Sequence, residues 1–367
     1  MKFICERNIL LKEISIAQEI ISSKNAISIL SNIYLEAKND TLTIKSTDIK
    51  VNFTTKIPIT VMEEGVTTVF GDKFLGILNS IPEGELEFVQ KDSKIIIQPV
   101  NKKIKFQLKS IASDKFPEFP VSNNDISFEM PIKDFKNMIL QTIFAVSDDE
   151  TRYFMNGVFF EKQEEKLVMV GTDGRRLAYI QKEMENSEIR DFEGIIIPTK
   201  ILGIILRRAG GEGLIALSIT DKIIFATFGS YQLSSALIEG QFPNYRRVIP
   251  ESQTNSFLMK RLDMLDALRR VSVLVEKSRR VYLNVRPGSI SVSSEEGEIG
   301  TADEEISANY DGAEVSIALN YRYIEEPFKA MTGEEVSIYF SDTNRAITIK
   351  PVPEENYFHI IMPMQID

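Results

Sequence analysis

NIYLEAKNDTLTIKSTD, residues 32–48, is answered about 125 residues later by NGVFFEKQEEKLVMVGTD, residues 156–173. In each segment an Asn leads an apolar strand that ends in Glu; a polar turn, a second apolar strand and Thr-Asp follow. Alternating apolar residues on either side of a polar turn read as an antiparallel hairpin, and recurrence at a fixed offset reads as an internal repeat. Two further segments keep the offset: GDKFLGILNSIPEGE (71–85) matches PTKILGIILRRAGGEG (198–213), and DKFPEFP (114–120) matches GQFPNYRRVIP (240–250). A third copy keeps the order, with VYLNVRPGSISVSSEE (281–296) as hairpin and ALNYRYIEEPFKAMTGEE (318–335) as helix and Gly turn.

Each copy opens on an amphipathic helix. LLKEISIAQEII (10–21), IKDFKNMILQTIFAV (132–146) and KRLDMLDALRRVSVLV (260–275) place apolar residues three and four apart, as a half-buried helix does. The expected fold class is therefore α+β, in three tandem similar domains of about 120 residues, each with two helices and several hairpins. Their expected bounds are 1–124, 125–250 and 251–367, consistent with a 367-residue chain too long for one ordinary core.

Composition narrows the function classes. Hydrophobic residues make up 43% and charged residues 26%, enough apolar material for packed cores. Charges at Glu6, Arg7, Lys12 and Glu13 interrupt the N-terminal apolar residues, so no secretion signal is expected. Apolar stretches such as 195–197 and 201–205 fall far short of the roughly 18 residues a membrane helix needs, and no membrane role is expected. Cys5 is the one cysteine and His359 the one histidine, which rules out an intramolecular disulfide and a Cys/His zinc site and points to a cytoplasmic protein.

Forty-three Lys and Arg against 53 Asp and Glu leave a net charge of -10, which argues against nucleic acid until the distribution is considered. Lys200, Arg207 and Arg208 stand in residues 198–208 without an acid, and 259–272 hold Lys260, Arg261, Arg269 and Arg270 against Asp263 and Asp266. The six expected helices together carry about +7, leaving about -17 for everything else. A helix layer of that sign suits passing a phosphate backbone without gripping it.

Chemistry-bearing motifs are few. Asp148, Asp149 and Glu150 are three adjacent carboxylates that could bind Mg2+ as part of a nuclease or phosphoesterase site, although such a run is more often a solvated turn or helix end. Gly210-Gly211-Glu212-Gly213 follows a helix and precedes a strand, the reverse of a phosphate-binding loop. Asp173-Gly174 after an apolar strand reads foremost as a hairpin turn. His359 would have to be the base of any Ser-His-Asp triad. The chain ends in YFHIIMPMQID (357–367), where a core strand and a Met-rich partner surface both remain open.

The MKF start, Phe154-Met155-Asn156-Gly157, Thr172-Asp173-Gly174-Arg175-Arg176-Leu177-Ala178, Phe242-Pro243-Asn244-Tyr245-Arg246-Arg247-Val248 and Met362-Pro363-Met364 stand out together. With these motifs the chain resembles the bacterial sliding clamp, the beta subunit family of the replicative DNA polymerase. The resemblance spans the whole chain. It implies a clamp fold and a head-to-tail homodimer whose six domains form a ring, helices inside and sheets outside, around sequence-independent double-stranded DNA. It implies no enzyme activity and no cofactor. Its implied partners are the replicative DNA polymerase, an ATP-dependent clamp loader, and other repair and replication proteins that bring short peptide motifs with Gln and Leu or Phe anchors.

By the same resemblance the peptide-binding pocket would comprise Met155, Thr172, Gly174, Arg175, Leu177, Pro243, Arg247, Val248, Asn320, Tyr323, Met362, Pro363 and Met364. Phe106, Val273 and Leu274 would lie at the dimer interface. Lys24, Arg152, Tyr153 and Phe154 resemble DNA-contacting positions, to which the basic helices add Lys200, Arg207, Arg208, Arg269 and Arg270. The chain departs from the commonest pattern at Arg175, where His is frequent, at Gln365, where Arg is frequent, and at Asn344 and Arg345, where small or apolar residues are usual. A metal-dependent nuclease built on residues 148–150, and a peptide-binding adaptor that never meets DNA, are the competing readings.

Overall fold

The computed structural model describes residues 1–21, 28–122, 126–184 and 189–365. Six α-helices occur among them: α1 (Arg7–Ile20), α2 (Gly71–Ser80), α3 (Ile132–Leu140), α4 (Thr199–Arg208), α5 (Arg261–Val271) and α6 (Tyr321–Ala330). The chain condenses into two compact units, Met1–Ile132 with Arg208–Leu237, and Lys133–Arg207 with Ile238–Asp367. Each holds one continuous antiparallel sheet, of 13 and 12 strands among the described residues.

The quoted hairpins form as read. Asn32–Lys38 pairs with Thr41–Thr47 through a two-residue turn, Asn39 and Asp40, both at φ 51°. Asn and Asp tolerate that left-handed backbone, whose twist matches the flanking strands. Gly157–Gln163 pairs with Lys166–Thr172, and Arg280–Arg286 with Ser289–Ser294, in the second and third copies.

Each sheet runs across a repeat boundary. In the first unit Tyr231–Ala236, from the second repeat, pairs with Val51–Pro58 of the first, Leu233 opposite Phe53. In the second unit Tyr357–Ile361 pairs with Arg176–Glu183, His359 opposite Ala178. The two joints share hydrogen bonds. Ala236 N donates to Lys50 O and Met362 N to Arg175 O, each at 2.9 Å. Asp48 Oδ1 accepts from Lys50 N and Val51 N as Asp173 Oδ1 accepts from Arg175 N and Arg176 N.

Helix faces supply the cores. Leu10, Ile14 and Ala17 of α1, and Phe74 and Leu78 of α2, are fully or almost fully buried. Phe3 stacks on Phe88 with ring centroids 4.7 Å apart. In the second unit Phe135 of α3 meets Phe160 edge-on at 6.2 Å. Burying such a ring contributes about 1.5–3 kcal/mol.

Two expected helices are shorter than their periodicity. α3 stops at Leu140, where Thr142 Oγ1 donates back to Met138 O at 2.8 Å, and the chain continues in a 3-10 turn, Ile143–Ala145. α5 gives way to the 3-10 turn Ser272–Leu274, and Lys260, the last residue of the strand Asn255–Lys260, stands at its N-cap.

Candidate functional site

The site is assembled from the end of one sheet, the 240s loop and the C-terminal tail, all in the second unit. Strand Lys166–Thr172 turns through residues 173–175 into strand Arg176–Glu183. Thr172 Oγ1 donates to Arg176 O at 2.6 Å and accepts from Gly174 N at 3.1 Å. Gly174 takes φ +86°, and a Cβ there would meet Arg152 NH1 at 3.1 Å, so glycine suits the turn doubly. Arg152 in turn donates from NH1 to Asp173 O at 3.1 Å.

Below the turn lies an apolar floor. Leu177 is 3% exposed and clusters with Val168, Val170, Ile196, Phe242, Tyr245 and Ile360; Phe154, Tyr179, Ala346 and Phe358 pack at its edge. Phe242 stacks on Phe159 at 4.7 Å, and Phe358 on Tyr179 at 4.8 Å. The 240s loop is held down by Tyr245, whose hydroxyl donates to Glu161 Oε1 at 2.6 Å. Burial and Glu161 together push that phenol far above its ordinary range, so it stays a donor. The same loop presents Pro243 half-buried, and Arg247 and Val248 exposed.

The tail supplies the remaining wall. Tyr357, His359, Ile360 and Ile361 are buried strand residues, after which Met362 is 46% exposed. Met362 N donates to Arg175 O at 2.9 Å and Met364 N to Ala318 O at 2.8 Å, so the tail bridges the turn and strand Val315–Asn320. The tail is therefore core strand through Ile361, after which Met362 is exposed and Pro363 and Met364 are half-buried.

Arg176 ties these parts together and was not among the expected site residues. Its side chain is 9% exposed, bonds Asp173 Oδ2 at 3.1 Å, pairs with Glu326 of α6, and donates to Phe144 O at 2.5 Å. Its guanidinium lies 4.4 Å from the Tyr323 ring centroid. Burial, with Asp173 next, raises the Tyr323 phenol. Asn320 caps α6 by accepting from Arg322 N at 3.1 Å. Thr172, Gly174, Arg175, Leu177 and Met362 are thus joined directly, Met364 through strand Val315–Asn320, Pro243, Arg247 and Val248 through the loop, and Asn320 and Tyr323 through α6. Met155 is buried at the end of the 3-10 segment Glu150–Met155, where its carbonyl accepts from Ser147 N at 2.9 Å.

The remaining expected residues are placed as follows. Lys24 lies outside the described residues. Arg208 is not a free cation, because it pairs with Glu19 of α1, and Arg270 donates from Nε at 2.6 Å and from NH2 to the Glu304 carboxylate. Arg269 faces Asp266 at 3.5 Å with its side chain 74% exposed. Lys200 is half-buried and Arg207 exposed. Tyr153 is exposed, whereas Phe154 packs on the Leu177 cluster. Val273 is 79% exposed, and Leu274 and Phe106 are half-buried.

Asp149 caps the 3-10 segment, accepting from Thr151 N and Oγ1 and from Arg152 Nε, which hold its carboxyl below the usual range. No group of three or more metal-capable side chains occurs among the described residues. His359 is buried, its Nε2 3.2 Å from Gln141 Oε1. No helix among the described residues is long and apolar enough to cross a membrane.

Family profiles for the DNA polymerase III beta subunit match in order: the N-terminal domain over residues 1–120, the central domain over 129–244 and the C-terminal domain over 246–365. The beta sliding clamp of Treponema pallidum is 48% identical over 372 residues, covering 100% of each chain. That of Escherichia coli K12 is 28% identical over 370 residues, again covering 100% of each. Among solved structures, the DNA polymerase sliding clamp of Bacillus subtilis aligns with a TM-score of 0.93 at 25% identity. The sliding clamp of Bartonella birtlesii bound to griselimycin gives the same two values, and each alignment covers 100% of both chains.

Proposed function

The chain belongs to the DNA polymerase III beta subunit family, and from that premise we propose that it works as a sliding clamp, a non-catalytic subunit that encircles duplex DNA and tethers the replicative polymerase. The observation that carries the reading is the succession of three family domains along one chain whose two sheet joints repeat the same hydrogen bonds. We take the domains as 1–124, 125–250 and 251–367, and two copies as closing head to tail into a six-domain ring. Phe106 of one copy and Val273 and Leu274 of the other form the seam. A duplex is roughly 20 Å across, too wide for three such domains to enclose, and a two-fold partner completes the circle.

Holding is topological, so the DNA contacts need only be weak and salt-screened. Lys200, Arg207, Arg208, Arg269 and Arg270 are the contacts proposed here; the pairs that Arg208, Arg269 and Arg270 form with Glu19, Asp266 and Glu304 keep each contact weak. The Leu177 floor and the Met362–Met364 wall take apolar anchors of client peptides, which supply most of the affinity. Tethering raises the effective concentration of polymerase at the primer end. Ring opening is assigned to a separate ATP-driven loader, and the compartment to the cytoplasm, where the buried Cys5 stays reduced.

Retention on nicked circular DNA tests this. The protein is loaded with a matched loader and ATP, washed at salt high enough to suppress ionic binding, and assayed before and after the circle is linearised. Retention on the circle and loss from free ends is expected. A protein that never stays on the circle, with a loader proven active, refutes encirclement.

A further inference from the structure

We propose that the peptide site selects clients whose apolar anchors are flanked by acidic residues, through three unpaired cations at its rim, Arg175, Arg247 and Arg345. The inference rests on the peptide-site reading above. Arg175 lies in the turn before strand Arg176–Glu183. Ile361 is paired on one side with Arg176 and on the other with Ile347, so Arg175, Met362 and Ala346 follow one another across three adjacent strands. At about 4.8 Å per strand, the backbones of Arg175 and Ala346 are roughly 10 Å apart, and Arg345 is the next residue. Arg247 belongs to the 3-10 turn Tyr245–Val248, whose Tyr245 shares the core cluster with Leu177, Ile360 and, at its edge, Ala346.

All three side chains are exposed, and none forms an ion pair among the described residues. Several neighbouring carboxylates are engaged. Asp173 holds Arg176, and Asp149 holds Thr151 and Arg152. Asp342 accepts from Asn344 N at 3.2 Å and Thr343 Oγ1 at 3.3 Å. Glu251 is exposed and pairs with none of the three arginines. The tail segment 362–365 is uncharged. In a chain of net charge -10, three free guanidinium forks around an apolar floor concentrate positive potential where a bound peptide's flanks would run. Each fork can take a carboxylate through two parallel hydrogen bonds.

The test uses three fluorescein-labelled peptides with the same Gln, Leu and Phe anchors, flanked by Glu, Ser or Lys, titrated with the full-length protein by fluorescence anisotropy. At about 50 mM salt the Glu-flanked peptide is expected to bind roughly tenfold more tightly than the Lys-flanked one, shrinking to about twofold at 0.5 M. Arg345→Ser should cut that ratio by roughly a factor of two to three, with the Ser-flanked peptide reading any general loss of the site. Equal affinities for the Glu and Lys peptides, with Ser-flanked binding intact, overturn the acidic preference alone. Failure of all three peptides overturns the site itself. If Arg345→Ser weakens a short DNA duplex and leaves the Glu-to-Lys ratio untouched, the rim is a phosphate contact and the preference is refuted.

Discussion

Replacing Arg176 with Met should loosen the peptide site and the second unit at once. Methionine keeps the length of the side chain and removes three polar links: to Asp173, to Glu326 and to the Phe144 carbonyl. A hydrogen bond to a charged group contributes about 1.5–3 kcal/mol, and breaking a fully buried pair costs about 3–5 kcal/mol. The side chains of Arg176 and Asp173 are 9% and 15% exposed but that of Glu326 is 34% exposed, so water re-solvates part of the deficit. A net loss of about 3 kcal/mol follows. For a unit of roughly 200 residues that lowers its unfolding midpoint by about 6–12 °C. Scanning calorimetry reads the midpoint, and peptide anisotropy should show roughly a tenfold weaker complex as Tyr323 and the 173–175 turn lose their common anchor. Adding Asp173→Asn to the Met variant should cost less than Asp173→Asn alone, by at least about 1 kcal/mol of coupling. An Arg176→Met protein that melts within a degree of the parent and binds peptide normally would refute the reasoning.

Three further outcomes follow from the same structure. The double change Arg270→Ser with Glu304→Ser removes a pair of opposite charges and should leave low-salt DNA binding unchanged, whereas Arg269→Ser alone should weaken it by roughly twofold, as read by filter binding. His359 is pushed down to about 3 by burial and by Arg176, so the unfolded chain binds a proton there that the folded chain does not. Its contribution to stability is therefore intact above pH 6.5 and lost as pH falls from there toward 3; His359→Gln should flatten the urea-midpoint profile across that window. The Cys5 thiol is buried and pushed up to about 12, and it should resist a thiol reagent at pH 8 until denaturant is added.

Much of the fold was legible locally. Period-2 runs around Asn39-Asp40 and Asp173-Gly174 mark their hairpins because side-chain alternation and turn backbone are properties of adjacent residues. Helix ends were less so: the periodicity of 132–146 continues past Leu140, and a back-bonded Thr142 ends the helix sooner. The peptide-site residues came from resemblance. Nothing in the spacing of Arg175-Arg176 distinguishes an exposed cation from a buried hub.

By itself the sequence determined the three repeats, their hairpins and helices, the scarcity of cysteine and histidine, and the family. Tertiary structure decided that Tyr231–Ala236 and Tyr357–Ile361 cross repeat boundaries to complete a neighbour's sheet. It also decided that Glu19 neutralises Arg208 and Glu304 neutralises Arg270, and that one arginine joins the 173–175 turn to α6. The division has one physical cause. Periodicity and turn chemistry act over a few residues, whereas strand edges and charges find partners through space, across separations of 34 to 189 residues that no local pattern encodes.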